Sequence, residues 1–441
     1  MLFANGHPLR YIPKKIWIPA VIIILIIGVL SFYNRPTALQ KAVLMSTPLI
    51  FRDGLIQPYD KLPGDITPPT IEVFYATDRQ PTDKTFLHPL FYGNDRSMSL
   101  YLGTAAVRIG SELMSWQETE KASIMRERTH AVPIQLVGVE MLHEIGSASK
   151  LLEESLRERT DAKDLFLARI NSRLSNSKTK TIYIFVPGFK VDFTYPVLVA
   201  AELWHYLGYP GAFIAYSWPS RQRLRDYFSD VETAAFTAQH FRMLLRYLAE
   251  KTDVENIHIL SYSAGARIVS QALHELRLSA YKIPLPEIKE FLRIGEVVFA
   301  APDIDTMLFT ARYSDGFEDV ADAITIYTNA NDTALKWALR FFGWPRLGAP
   351  GELGLAPGDL QHLKEFGNTT LIDVAAAEKV ASGNGHGYFV KSPWVSTDLL
   401  LTLKHGFGPQ KRGLRYNEVD AAWVFPESYP QKIRQVVKQI H

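Results

Sequence analysis

Two serines, an alanine and a glycine crowd the stretch IHILSYSAGARIV, residues 257–269, where an apolar run of strand length gives way to helical spacing. A serine at a strand-to-helix turn is carried to the carboxyl edge of a parallel sheet, where open α/β folds bind their ligands. The turn is sharp, so the residues two before and two after such a serine must be small. Ser261 and Gly265 hold those places around Ser263, giving S-x-S-x-G where G-x-S-x-G is usual. A serine at a helix start is also a common N-cap. The nucleophile reading rests on IHIL before it and on Ala266, Val269, Leu273 and Leu276 at helical spacing after it.

A nucleophilic serine needs a base, a group that orients the base, and donors for the oxyanion. In doubly wound hydrolases these follow the chain order donor loop, serine, acid, histidine. Upstream, TIYIFVPGFKVDF ends a strong strand at Gly188, a structural turn from which the N–H of Phe189 or Lys190 could meet an oxyanion together with the N–H of Ala264. Pro187 carries no N–H and cannot donate. Downstream, AITIYTNANDTALKW sets Asp332 just beyond a strand, and SGNGHGYFV sets His386 between two glycines, last in order. The candidate triad is therefore Ser263, Asp332 and His386. Asp303 and Asp305 in VVFAAPDIDT are alternative acids, and each of the three aspartates also suits a helix N-cap.

No other motif competes. HELRL at His274 lacks the second histidine of a zinc helix, and G-x-G-x-x-G, P-loop and calcium-loop patterns are absent from the sequence. With no cysteine, thiol catalysis, disulfides and cysteine-ligated zinc are excluded. The proposed chemistry calls for no metal or organic cofactor. A net charge of +2 over 441 residues argues for no nucleic acid or other strongly charged partner. Aromatics in KWALRFFGWPRLG suit a core or a cover over the site.

The elements that must position these residues follow from alternation. Strand-length apolar runs at 71–77, 105–109, 181–188, 212–218, 257–263, 296–302, 323–329 and 370–375 are interleaved, in the later part, with helix patterns at 195–207, 226–250, 264–278 and 333–341. Such alternation predicts a mostly parallel sheet with helices on both faces, and the first two runs predict an antiparallel edge. Residues 111–180, with LLEESLRERTDAKDLFLARINSRL, read as a helical insertion. Prolines 36, 48, 58, 63, 68 and 69 mark 34–70 as a linker or wrapping arm before a domain at 71–441.

Ahead of that arm, IWIPAVIIILIIGVLSFY at 16–33 is an uncharged run just long enough to cross a hydrocarbon core of about 30 Å. It exceeds a signal-peptide core and no small-x-small cleavage site follows, so an uncleaved transmembrane anchor is expected. Arg10, Lys14 and Lys15 put the tail at 1–15 in the cytoplasm and the large domain outside.

VFYATDRQP, FVPGFKVDF, IHILSYSAGARIV, FAAPDID, ITIYTNANDTAL, PRLG and GHGYF, in this order, resemble a bacterial α/β-hydrolase family of unknown function described as esterase- or lipase-like, over about residues 46–425. The resemblance implies an α/β-hydrolase fold, Ser263 as nucleophile, Asp332 as acid, His386 as base and the Gly188 loop as oxyanion region. This chain departs from the family pattern at Pro187, where histidine is usual, and at Ser261. The expectation is a single-pass protein of the bacterial inner membrane whose outward-facing domain hydrolyses small-molecule or lipid esters. The alternatives are a non-catalytic envelope binding module on the same fold, and an acyltransferase or peptidase with the same triad.

Overall fold

The computed structural model describes residues 42–440, apart from positions 60, 61, 63, 65 and 67 and stretches 83–90, 147–163, 224–225, 351–366 and 381. Among the described residues no helix is long and apolar enough to cross a membrane, and the apolar run at 16–33 lies outside them.

The central block is parallel. Strands β5 (Thr181–Val186), β6 (Ala212–Tyr216), β7 (Asn256–Tyr262), β8 (Ile294–Ala300), β9 (Ala321–Thr328) and β10 (Thr369–Asp373) belong to one twelve-stranded sheet. Its order is β1-β4-β3-β2-β6-β5-β7-β8-β9-β10-β12-β11. The predicted antiparallel start is β2 (Thr70–Pro81) against β3 (Tyr92–Ile109), and β2 joins the parallel block through β6. Two short pairings complete the edges: β1 (Ala42–Val43) on β4 (Pro133–Ile145) and β11 (Arg415–Asn417) on β12 (Ala422–Val424).

Helices cover both faces because the buried strands alternate. On β5, Tyr183 and Phe185 face one core, shared with α3 (Thr194–Leu207), α10 (Pro393–His405) and α11 (Tyr429–Ile440). Ile182, Ile184 and Val186 face the other, shared with α2 (Leu165–Ser175), α4 (Tyr227–Lys251), α5 (Gly265–Ser279) and α6 (Leu285–Leu292). A strand buried on both sides reads as a continuous apolar run, which is why TIYIFV is hydrophobic at every second position on either face.

One expectation changes. The stretch 111–180 is not a helical insertion throughout: α1 (Trp116–Ile124) and α2 flank β4 (Pro133–Ile145), a thirteen-residue strand antiparallel to β3. PIQLVGVEMLHEI is rich in β-branched and long side chains, but most of it is only half covered, so its period is blurred by exposed Val137 and Met141. Within the proline-marked stretch, Leu44, Met45, Leu49, Ile50 and Phe51 are buried in the core, and the Met45 N–H donates to Glu202 of α3 at 2.8 Å. Burial holds the Glu202 carboxyl protonated up to about pH 8, against the pull of that N–H.

The strand order also fixes where a site must form. From β5 the chain goes through α3 to β6 on one side, whereas from β7 it goes through α5 to β8 on the other. β5 and β7 are neighbours, so the loops at their carboxyl ends diverge and leave a crevice between them. Residues 187–190 and Ser263 stand at that switch point.

Candidate active site

β7 ends at Tyr262, α5 begins at Gly265, and Ser263 between them has φ +52°, a left-handed backbone that a non-glycine residue adopts only when its surroundings hold it. Those surroundings are explicit. The Ser263 N–H donates to the Ala300 carbonyl at 3.0 Å, and its own carbonyl accepts from Asp303 at 3.0 Å and Ala266 at 3.1 Å. The small neighbours have separate reasons. A Cβ at Gly265 would fall 2.5 Å from the Val186 carbonyl oxygen, so α5 can start this close to β5 only with glycine. Ser261 is fully buried and its hydroxyl donates to the Val298 carbonyl at 3.2 Å, which satisfies the group that replaces the usual glycine hydrogen.

Three side chains from three loops meet at this turn. His386 Nε2 lies 2.9 Å from Ser263 Oγ, and His386 Nδ1 lies 2.5 Å from Asp332 Oδ2. Asp332 is completely buried and Ser263 keeps only 3% of its surface at the floor of the crevice, while the His386 side chain is 12% exposed. The two readings of Asp332 turn out to be compatible, since its oxygens divide the work. Oδ1 accepts from the N–H groups of Ala334 and Leu335 at 3.0 and 3.1 Å, capping α8 (Thr333–Phe342), and Oδ2 faces the histidine. The helix N-terminus adds its own attraction for negative charge.

The alternative acids stand elsewhere. Asp305 caps α7 (Thr306–Ser314) by accepting from Leu308 N–H at 2.9 Å. Asp303 is buried beside Arg267 and Arg346, each 3.5 Å away, and accepts a short hydrogen bond from the Tyr227 hydroxyl. Burial and that neighbouring carboxylate push the Tyr227 hydroxyl well above its ordinary range, whereas burial lowers Arg346. Neither carboxylate contacts His386 among the described residues.

Opposite Ser263, the loop after β5 approaches closely: a Cβ on Gly188 would lie 2.9 Å from Ser263 Cβ and 3.3 Å from its hydroxyl. The amides of Phe189, Lys190 and Ala264 donate to no group among the described residues, so all three remain free for a ligand oxygen. Ala264 is the residue just before α5, where peptide dipoles favour an anion. Lys190 holds a left-handed φ of +67° that shapes the loop.

Three residues that sequence reasoning passed over hold these pieces together. Arg79, buried on β2, donates to the Val191 carbonyl at 2.8 Å and to Ser217 Oγ at 3.0 Å, pinning the Gly188 loop to the end of β6; burial lowers its guanidinium to about 10. Asn329 donates from its side chain to the Gly385 carbonyl at 2.8 Å, tying the loop of the acid to the loop of the histidine. Tyr388, at the start of α9 (Tyr388–Lys391), donates to the Tyr327 carbonyl and accepts from Ala301 N–H, both at 2.8 Å. Arg79 and Asn329 lie in quoted motifs, but composition marks the first as a strand residue and the second as a turn residue. Only their distant partners reveal the task.

A doubly wound sheet with a left-handed serine at its switch point, a histidine within hydrogen-bond reach and an aspartate behind it defines an α/β hydrolase fold. The chain belongs to the family described as alpha/beta hydrolase of unknown function (DUF900), whose model matches residues 162–403, a narrower span than the motifs indicated. An uncharacterized protein, alr1448, of Nostoc sp. is 27% identical over 149 residues, and the match covers 28% of this chain and 38% of the length of that relative. Among solved structures, esterase B from Lactobacillus rhamnosis aligns at 13% identity over 59% of this chain and 78% of that one, with a TM-score of 0.24. Phospholipase PlaB from Legionella pneumophila, in complex with thio-NAD, aligns at 14% identity over 47% of this chain and 40% of its own, with a TM-score of 0.23. Likenesses of this size carry no inference about substrate.

Proposed function

We propose that this chain is a membrane-anchored serine hydrolase of carboxylic esters, with Ser263 as nucleophile, His386 as general base and Asp332 as orienting acid. The observation that supports the reading most directly is the continuous path from Ser263 Oγ to His386 Nε2 at 2.9 Å and from Nδ1 to Asp332 at 2.5 Å. In the proposed reaction Oγ attacks the acyl carbon as its proton passes to Nε2, while Asp332 accepts from Nδ1–H and stabilises the imidazolium. The amide of Ala264, with that of Phe189 or Lys190, receives the negative charge on the former carbonyl oxygen, each donor contributing about 2.7–4 kcal/mol in comparable sites. The imidazolium returns its proton to the departing alcohol, and water then attacks the acyl-enzyme by the same path in reverse.

The test is hydrolysis of short-chain p-nitrophenyl esters together with covalent labelling by a fluorophosphonate. Wild type should do both and Ser263→Ala neither; indistinguishable behaviour of the two defeats the assignment. Ligand binding without labelling would instead favour the non-catalytic envelope module. Ester formation with an added alcohol would favour acyl transfer. The anchor belongs to the same proposal and rests on the uncharged run at 16–33 with its flanking cations, which assigns the domain to the outer side of a bacterial inner membrane. Alkaline extraction of membranes should leave the full-length chain in the pellet, and release into the supernatant would remove the anchor from the proposal.

A further inference from the structure

Large apolar side chains are normally scattered singly over a protein surface, and a cluster of them needs a reason. Phe228, Met307, Leu308, Trp337, Phe341 and Trp344 are 59, 65, 43, 57, 61 and 55% exposed. They lie on segments that meet at the site's rim. Phe228 packs at a tilt against Phe342, ring centres 5.3 Å apart, Phe342 lies 5.2 Å from Tyr227, and Tyr227 packs edge-on at 4.5 Å against Phe189 of the loop opposite Ser263. The start of α7 is joined to the segment after α8 by the Thr306 N–H donating to the Pro345 carbonyl at 3.1 Å, which brings Met307 and Leu308 near Trp344. Trp337 and Phe341 stand one turn apart on α8, ring centres 6.3 Å from each other.

The charge along α8 and the segment after it has one sign, whereas the starts of α4 and α7 beside it carry Asp226, Glu232 and Asp305. From Thr333 to Pro350 the chain carries Lys336, Arg340 and Arg346 and no carboxylate. Arg346 is buried on Asp303, but Lys336 and Arg340 are exposed, Arg340 lying 5.2 Å over the Trp337 ring. An amphipathic helix with tryptophan and phenylalanine on one face and lysine and arginine beside them has the composition that settles at the boundary between acyl chains and anionic headgroups. A symmetric contact between two copies would instead set like charges against each other. The tether agrees: residues 34–41 between the expected span and the first described residue reach at most about 29 Å, so the domain would stay beside a bilayer.

We propose that the exposed face of α8, with the ends of α4 and α7 next to it, docks on the surface of an anionic phospholipid bilayer, so that the mouth of the Ser263 crevice opens toward the lipid. The docking stands on the surface alone; only its consequence, access to esters resident in the membrane, rests on the hydrolase reading.

Because the chain lacks cysteine, single introduced thiols can carry an environment-sensitive fluorophore such as NBD. Full-length Phe341→Cys and Trp344→Cys would be labelled and reconstituted into phosphatidylcholine vesicles with and without phosphatidylglycerol. Leu113→Cys is the control, since Leu113 is 95% exposed in the loop after β3, at the sheet edge opposite Ser263. The expected result is a blue shift at 341 and 344, larger with phosphatidylglycerol, and none at 113. Added Lys336→Glu and Arg340→Glu should abolish the gain from phosphatidylglycerol. No shift at 341 and 344, an equal shift at 113, or indifference to the anionic lipid overturns the proposal. A shift in detergent that grows with protein concentration also overturns it, by showing that a second copy occupies the face. Ester hydrolysis enters none of these readings, so a failed hydrolase assignment would show separately.

Discussion

Replacing Asp332 by asparagine separates two jobs that one carboxylate performs. Oδ1 caps α8 by accepting from Ala334 and Leu335, and an asparagine oxygen can keep both bonds. The other arm then presents an NH2 where Oδ2 stood 2.5 Å from His386 Nδ1. Two donors cannot face each other, so the imidazole must turn Nδ1 into an acceptor and move its proton to Nε2. Nε2–H lies 2.9 Å from Ser263 Oγ and can no longer take the hydroxyl proton. The equivalent tautomer error in a serine protease costs about 10⁴ in kcat, or roughly 5.4 kcal/mol of transition-state stabilisation. Asp332→Asn should therefore lose about 10⁴-fold in kcat on a p-nitrophenyl ester, and about as much in fluorophosphonate labelling rate, with a denaturant midpoint near wild type. Asp332→Ala should lose comparable activity and also about 1 kcal/mol of stability through the missing cap. Asp332→Asn retaining a tenth or more of wild-type turnover would refute the reasoning, because the carboxylate would then be a cap and nothing else.

Two further outcomes follow from packing and from burial. Gly188→Ala sets a methyl 2.9 Å from Ser263 Cβ, and because overpacking costs about 1–3 kcal/mol, it should cut kcat/KM at least about fivefold while leaving the secondary structure seen by circular dichroism intact; unchanged kinetics would contradict the close approach of this loop to the serine. His205 is buried neutral between Tyr59, Ser123 and Tyr209, and burial, then Arg128, lower it to about 3. The unfolded chain therefore takes up a proton as pH falls below about 6.5 while the folded chain refuses it, so the stability His205 contributes is complete above that pH and shrinks toward about pH 3. Between pH 6.5 and 5 that loss is about 2 kcal/mol. Buried Glu202, raised to about 8, shifts stability in the opposite sense over the same range, so the readout is the difference between wild type and His205→Asn in urea unfolding. That difference should narrow by about 2 kcal/mol from pH 6.5 to 5, and a constant difference would contradict a neutral buried His205.

Much of this was legible in order along the chain. Alternating runs gave β5 through β10 to within a residue or two, and with them α3, α4, α5 and α8 but not α6 or α7, because a strand buried on both faces and a helix buried on one leave different apolar periods. β4 was not, since a strand half open to solvent keeps too little apolar contrast to outweigh the charged residues around it. The serine turn was legible because its constraint is local: a left-handed residue between a strand and a helix demands small neighbours within two positions.

The choice among acids was not local. Asp303, Asp305 and Asp332 all follow strands and all suit helix caps, so the sequence by itself determined only that an acid of this kind was available. Tertiary structure decided that Asp303 is held by Tyr227, Arg267 and Arg346 from three other segments, and that of the three aspartates Asp332 is the one that turns an oxygen to His386. It likewise decided that β5 and β7 lie side by side, which brings Gly188 against Ser263 across some seventy-five positions of sequence. Spacing along a chain constrains what touches within a turn or two; which distant loops share one crevice is set by the order of strands in the sheet, and that order is fixed by how the two cores pack.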